Sequence, residues 1–284
     1  MKLLKLPSRP RLPILFGLAI ALAFVHRCTN QGGLVECVDN KKDVGTAEDA
    51  ACFLAGLHCR PDSRFSVLEL RSAWQRYAGQ LNRTWRELDK SQFHRVRAFQ
   101  EREISPIDAG SSFVFYPFSG PDVLYARLFF PNCRLFVLAG LEPVGSLRTL
   151  DNYREDNIER VLQGWRSSLS SLFSRSFFVT GEMDREFRGR VADGLLPMIL
   201  LLLARSGHNI DRMVYGSLSP SGEFTMQGGP NLGAEKSPTF GVEIVFHREN
   251  DLVSRTLYYF STTFDAPPAA FPFFPRPVAN SSKH

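Results

Sequence analysis

The sequence predicts an α/β fold, a mixed sheet with flanking helices preceded by an N-terminal helical segment, and three observations carry that prediction. Residues 113–145, FVFYPFSGPDVLYARLFFPNCRLFVLAGLEPVG, run from an apolar stretch through a glycine turn and a short amphipathic stretch into a second apolar stretch, the pattern of a strand–helix–strand unit. Upstream, residues 65–103 repeat apolar side chains at steps of three and four, which is helical. Downstream, Phe240, Val242, Ile244 and Phe246 alternate with other residues, and Leu257, Tyr258, Tyr259 and Phe260 follow a Glu249-Asn250-Asp251 turn, which is an antiparallel hairpin.

Taken in order, the chain starts with Lys2, Lys5, Arg9 and Arg11, ahead of an apolar run at 12–25 and an Ala21-Leu22-Ala23 pattern. This reads as a secretory signal over 1–23, cleaved near Ala23. The alternative is an uncleaved anchor at 12–25, although about 14 apolar residues fall short of the roughly 20 that span a bilayer. Either way the rest of the chain is exported, to the periplasm or beyond, and the apolar segment is its one membrane partner. Cys28 is a poor lipidation site, because His26 and Arg27 stand where small residues are needed. The pI near 9.0 and net charge of +5 invite a nucleic-acid partner. The four leader cations account for most of that excess, so none is expected.

Cys28, Cys37, Cys52 and Cys59 fall in the first sixty residues, and export would favour pairing them; buried free thiols are the alternative. No C-x-x-C or H-x-x-x-H spacing suggests zinc. Thr46 and Asp49 make a capping-box pattern ahead of a helix over 50–58, which would set Cys52 and Cys59 about 10 Å apart. A disulfide tolerates about 7 Å between Cα atoms, so any bridge should join Cys28 or Cys37 to Cys52 or Cys59. In the helical segment 65–103, Trp74 and Trp85 share the stripe with Leu70, Tyr77, Leu81, Leu88, Val96 and Phe99, and read as core more readily than as a stacking platform. Gln92 is the one lapse. Arg83, Arg86, Lys90, Arg95 and Arg97 read as a solvated face.

In the organising unit, Ser119 is the expected N-cap, Asp122 its reciprocal partner three residues on, and Pro121 a first-turn proline, so a short helix should start at Gly120 and close at Pro131. The second strand ends at Glu142. Beyond it, 151–173 is helical, 177–179 suits a short strand, and 195–204 is a buried helix with Pro197 in its first turn and Gly207 as its cap. Residues 210–218 read as a strand and 222–241 as a glycine-rich loop with no phosphate-loop spacing. Five prolines in 265–284 mark an unstructured tail. The chain divides into the leader 1–23, a helical segment 24–105, an α/β domain 106–264 and the tail.

YPFSGPD at 116–122, FFP at 129–131, GLEPVG at 140–145 and TLYYFST at 256–262 resemble the signatures of a family of uncharacterised, exported bacterial proteins, over residues 51–262. The resemblance implies export and brings no activity, cofactor or catalytic residue. Members continue with folded sequence past the YYFS segment, where this chain turns into its proline-rich tail. More loosely, strand, glycine turn, helix and an acidic residue 22 positions after Gly120 are similar to the start of a Rossmann-like unit, and the closing hairpin is similar to class I methyltransferases. Only one glycine of G-x-G-x-x-G is present.

Two functions follow. The first is an exported protein that binds a small ligand or partner at the carboxyl ends of the central strands, around Ser119, Gly120, Asp122 and Glu142; the structural alternative is that Asp122 caps its helix and Glu142 ends its strand. The second is an enzyme, a methyltransferase-like transferase or a hydrolase on a Rossmann-like sheet. Glu243 and His247 lie about 13 Å apart on one strand face, too far for joint proton transfer. No G-x-S-x-G elbow is present.

Overall fold

The computed structural model describes residues 41–106, 112–116, 122–175, 192–219, 223–227 and 240–261. The leader, Cys28, Cys37, Ser119, Gly120, Pro121, the segment 177–179 and the tail lie outside these residues.

The first helix, α1, is Lys41–Leu54. Gly56 ends it at φ +65, with its N–H on Phe53 O (3.1 Å) and the Leu57 N–H on Cys52 O (2.9 Å), the paired bonds of a Schellman cap. Two expectations change here. Thr46 and Asp49 lie inside α1 rather than at its start, and the buried Asp49 carboxylate instead takes the Arg60 guanidinium at 3.0 and 3.1 Å. Cys59 lies beyond the helix, so the expected two-turn separation does not exist; the local glycine stop outweighs the apolar run. Cys52 and Cys59 are both free thiols, and no disulfide joins the described residues. Burial, then the Glu48 carboxylate, pushes Cys52 up to about 12.

After α2 (Ser66–Glu69), the expected long helix is continuous over 72–104 as α3 (Ser72–Leu88), a π turn (Asp89–Phe93), α4 (His94–Phe99) and a second π turn (Gln100–Ile104). The π turn explains the lapse at Gln92. One extra residue in the turn carries the apolar stripe on to Phe93, which is 2 % exposed, and frees the Gln92 amide to reach the Tyr125 hydroxyl. Trp74 is core, its indole N–H donating to Phe53 O at 3.1 Å.

The organising unit is β1 (Phe113–Tyr116), α5 (Val123–Phe129) and β2 (Leu135–Gly140), the strands parallel with Phe113 opposite Leu135. The helix expected over 151–173 resolves into a 3-10 turn (Arg148–Asn152) and α6 (Ile158–Arg175), because Asn157 Oδ1 accepts the Arg154 N–H and turns the chain before the helix begins. Helix α7 (Leu196–Arg205) is buried on all sides over 196–204, with Pro197 in its first turn and Gly207 at φ +75 behind it. Then come β3 (His208–Leu218), β4 (Phe224–Gln227), β5 (Phe240–Arg248) and β6 (Asp251–Ser261). Strand β4 was expected to be loop. Its four residues become a strand by pairing with the long β3, Leu218 opposite Phe224, a gain the local composition does not reveal.

The sheet order is β1-β2-β6-β5-β3-β4, with β1, β2 and β6 parallel and the remaining neighbours antiparallel. Phe136, Leu138, Val242, Ile244, Phe246, Leu257 and Tyr259 point into one core that α1, α3, α5, α6 and α7 share. The N-terminal helices and the sheet therefore bury a single continuous interior. The other face carries a smaller cluster of Val137, Leu218, Tyr258 and Phe260. The parallel strands define two edges: a carboxyl edge, where β1, β2 and β6 end, and an amino edge, where β2, β3 and β6 begin and β5 ends.

Candidate functional site

The expected site residues belong to the carboxyl edge. Asp122 immediately precedes α5, whose α-helical residues begin at Val123; the expected start at Gly120 lies outside the described residues. The Asp122 backbone is helical (φ −68, ψ −2) and its side chain bonds no helix N–H. Helical backbone is what the third position of a capping box takes, and the Ser119 N–H that Asp122 would accept there lies outside the described residues.

The Asp122 carboxyl is under the influence of one other acid, Glu142. Burial, then the charge of Glu142, pushes it up to about 6. Burial, followed by Asp122 and Tyr125, pushes the Tyr116 phenol up to about 12. Asp122, Glu142, Tyr116 and Tyr125 thus form one electrostatic neighbourhood, drawn from the end of β1, the start of α5 and the end of β2.

Glu142 is 9 % exposed and is held by its backbone. Its carbonyl accepts the Tyr259 hydroxyl at 2.7 Å, and the Pro143 and Val144 carbonyls accept the Leu195 and Leu196 N–H groups at 3.1 and 2.9 Å. Ser146 closes the clasp, its N–H on Asp193 O and its Oγ on Asp193 Oδ2, both at 2.8 Å. Gly145 and Gly194 cross back to back, both at φ +72, and a Cβ on Gly145 would lie 1.6 Å from Asp193 O. The Pro-Val-Gly turn was legible in the sequence. Its partner at 193–196 was not, because about fifty residues separate the two.

Two neighbouring carboxyls, one titrating near neutrality, can accept hydroxyl or amine protons from a ligand, or share and pass a proton. Elsewhere, Glu243 pairs with Arg212 at 2.5 Å and with the Tyr258 hydroxyl, while His247 pairs with Asp211 at 2.8 Å. These two residues serve separate networks.

Sequence reasoning missed a second constellation, at the amino edge. Arg127, Arg205, His208 and Arg248 converge there from α5, α7, β3 and β5, and Arg97 joins them from α4. No motif links five residues spread over five elements. The one visible trace was an arginine inside the apolar LYARLFF stretch at 124–130. No family model, curated protein or solved structure matches the chain.

Proposed function

We propose that this chain is an exported bacterial protein that binds a small hydroxyl-bearing ligand at the carboxyl ends of β1 and β2, against Asp122 and Glu142, with Ser119 and Gly120 as further contacts. The observation that carries this reading is the meeting of the two carboxyls, since Asp122 is raised toward neutrality by burial and by Glu142. Neighbouring carboxyls, here a buried Glu142 and a half-buried Asp122, repel unless a proton or a ligand donor relieves them. The Asp122 carboxylate bonds no N–H of α5 itself.

The test is a thermal-shift screen of the mature chain with nucleotides, sugars and small acids, repeated on Asp122→Asn and Glu142→Gln. A bound ligand stabilises only the folded state, so the shift should vanish in both variants while their own melting temperatures stay close to the parent. A shift that survives both substitutions moves the site elsewhere. Unfolding of both variants assigns the pair to the scaffold.

One observation favours the enzymatic reading, a hydrolase or a transferase on a Rossmann-like sheet: a carboxyl near 6 suits general acid–base work close to neutral pH. Turnover of a screened compound, with a pH profile breaking near 6 that Asp122→Asn removes, would convert the binding protein into an enzyme. Export itself is tested by N-terminal sequencing of protein recovered from the envelope or medium. Intact Met1 on cytoplasmic protein defeats it.

A further inference from the structure

The amino edge of the sheet closes over a cavity of about 170 Å³. Arg127 and the start of β3 at His208 form its floor, with Trp85 and Phe93 among its walls. Arg205 is half-buried beside them, and Arg97 and Arg248 stand exposed at the mouth. Among the described residues no carboxylate lines it, although Arg97 pairs with Asp89 at 2.6 Å. The first π turn matters here, because it is what sets Phe93 into the wall and turns Arg97 toward the opening.

The two inner arginines are incompletely paired. Arg127 is 4 % exposed; Nη1 donates to Pro131 O at 3.3 Å and Nη2 to His208 Nε2 at 3.1 Å, and Nε has no partner. His208 in turn donates from Nδ1 to Leu203 O at 3.3 Å, so the ring is neutral, and burial together with Arg127 pulls it down to about 3. Arg205 gives Nη1 to Asn82 Oδ1 at 2.7 Å and stacks on Trp85, yet its Nε and Nη2 are buried without partners. Of the acids nearby, Asp251 is already committed to Arg255 at 2.8 Å and Asp89 to Arg97 at 2.6 Å. Burial, then Arg255 and Arg248, pulls Arg127 down to about 9, and burial pulls Arg205 down to about 10.

The Phe136 and Phe246 rings, 5.1 and 5.8 Å from the Arg127 guanidinium, shield its faces but supply no counter-charge. The α7 C-terminus brings its negative dipole end here, but the Leu202, Leu203 and Ala204 carbonyls are already bonded. A buried guanidinium without a counter-charge, with a half-buried second one lining the same cavity, is a destabilising arrangement that an anion would relieve.

We propose that this cavity binds a small tetrahedral oxyanion, a free phosphate or the phosphoryl group of a small ester, with Arg127 and Arg205 donating to its oxygens and Arg248 adding charge at the mouth. Three guanidinium groups, beside an Arg97 already paired with Asp89, call for more than one negative charge, which favours a phosphate over a monocarboxylate. The volume is close to that of a void of about 150 Å³ that holds benzene, so phosphate with a few further atoms fits and a nucleotide does not. This site is independent of the carboxyl pair on the opposite edge.

The test is calorimetric titration of the mature chain with inorganic phosphate, sulfate, glycerol phosphate and acetate at constant ionic strength. Phosphate or glycerol phosphate should bind saturably, one per chain and at least tenfold tighter than acetate, and the tighter of the two identifies free ion or ester; sulfate binding alongside supports the oxyanion class. Arg205→Gln and Arg248→Gln should each weaken phosphate at least tenfold with unchanged far-ultraviolet circular dichroism. Arg127→Gln should do the same, and if it fails to fold the other two variants decide. Asp122→Asn should leave phosphate affinity unchanged. No saturable heat, acetate as tight as phosphate, undiminished affinity in both Arg205→Gln and Arg248→Gln, or an equal loss in Asp122→Asn would each overturn the assignment.

Discussion

The two edges of the sheet solve opposite electrostatic problems. At the carboxyl edge two acids meet, Asp122 and Glu142, within a clasp of backbone hydrogen bonds that begins at Tyr259 and ends at Asp193. At the amino edge several arginines meet around a cavity, and the groups beside them are carbonyls, a neutral histidine and aromatic rings. The acids sit next to elements adjacent in sequence, β1, α5 and β2. The arginines come from four helices and strands and depend on the whole core for their positions. Helix α5 joins the edges, with Asp122 at its start and Arg127 in its last turn, the placements its own dipole favours at each end. The difference teaches that local helix rules agree with each charge taken singly, while the tertiary structure decides which charges of like sign are gathered together.

The largest effect should separate the edges by their glycines. Gly145→Ala must push a methyl group into the Asp193 carbonyl from a left-handed backbone, and should lose more than about 4 kcal/mol in urea unfolding. Gly207→Ala, at φ +75 with no atom within 4 Å of the added methyl, should lose only about 1–2 kcal/mol. Equal losses would mean that the clasp at the carboxyl edge is not the rigid element described. Next, Arg205→Met keeps an unbranched chain against Trp85 and removes an incompletely paired charge. In phosphate-free buffer it should unfold about 1 kcal/mol later than the parent, because replacing a poorly neutralised cation by an apolar chain is often stabilising. A loss of similar size would show that the Asn82 bond, not an anion, is the reason for Arg205.

The smallest effect sharpens the acidic edge. The folded value of Asp122, about 6, lies above its usual 3.8, so its contribution to stability is fully present below pH 3.8 and is lost as pH rises through 6. The groups facing it are Glu142, Tyr116 and Tyr125, and both phenols stay neutral across that window. Asp122→Asn should therefore flatten the stability profile between pH 4 and 6. It should also gain about 1 kcal/mol at pH 7, after allowing for solvent screening of a partly exposed pair. A loss at pH 7 would restore the carboxylate as a helix-capping group.

Much of the architecture follows from the sequence alone, because it rests on local physics. The alternating residues of β5 and β6 and the Pro131 stop behind α5 each act within a few residues, as do the all-apolar α7 and its Pro197 start. The sequence likewise placed Glu142 at the end of β2, since an apolar run that meets a charge and a proline ends there. Tertiary structure decided the rest. It made β4 a strand by offering β3 as a partner, and inserted the π turn that replaces Gln92 with Phe93 in the core. It brought the charge of Glu142 to bear on Asp122, and drew Arg97, Arg127, Arg205, His208 and Arg248 around one cavity. Periodicity reports which side of an element is apolar, whereas the meeting of charges from different elements depends on how those elements pack, and that information is spread over the whole chain.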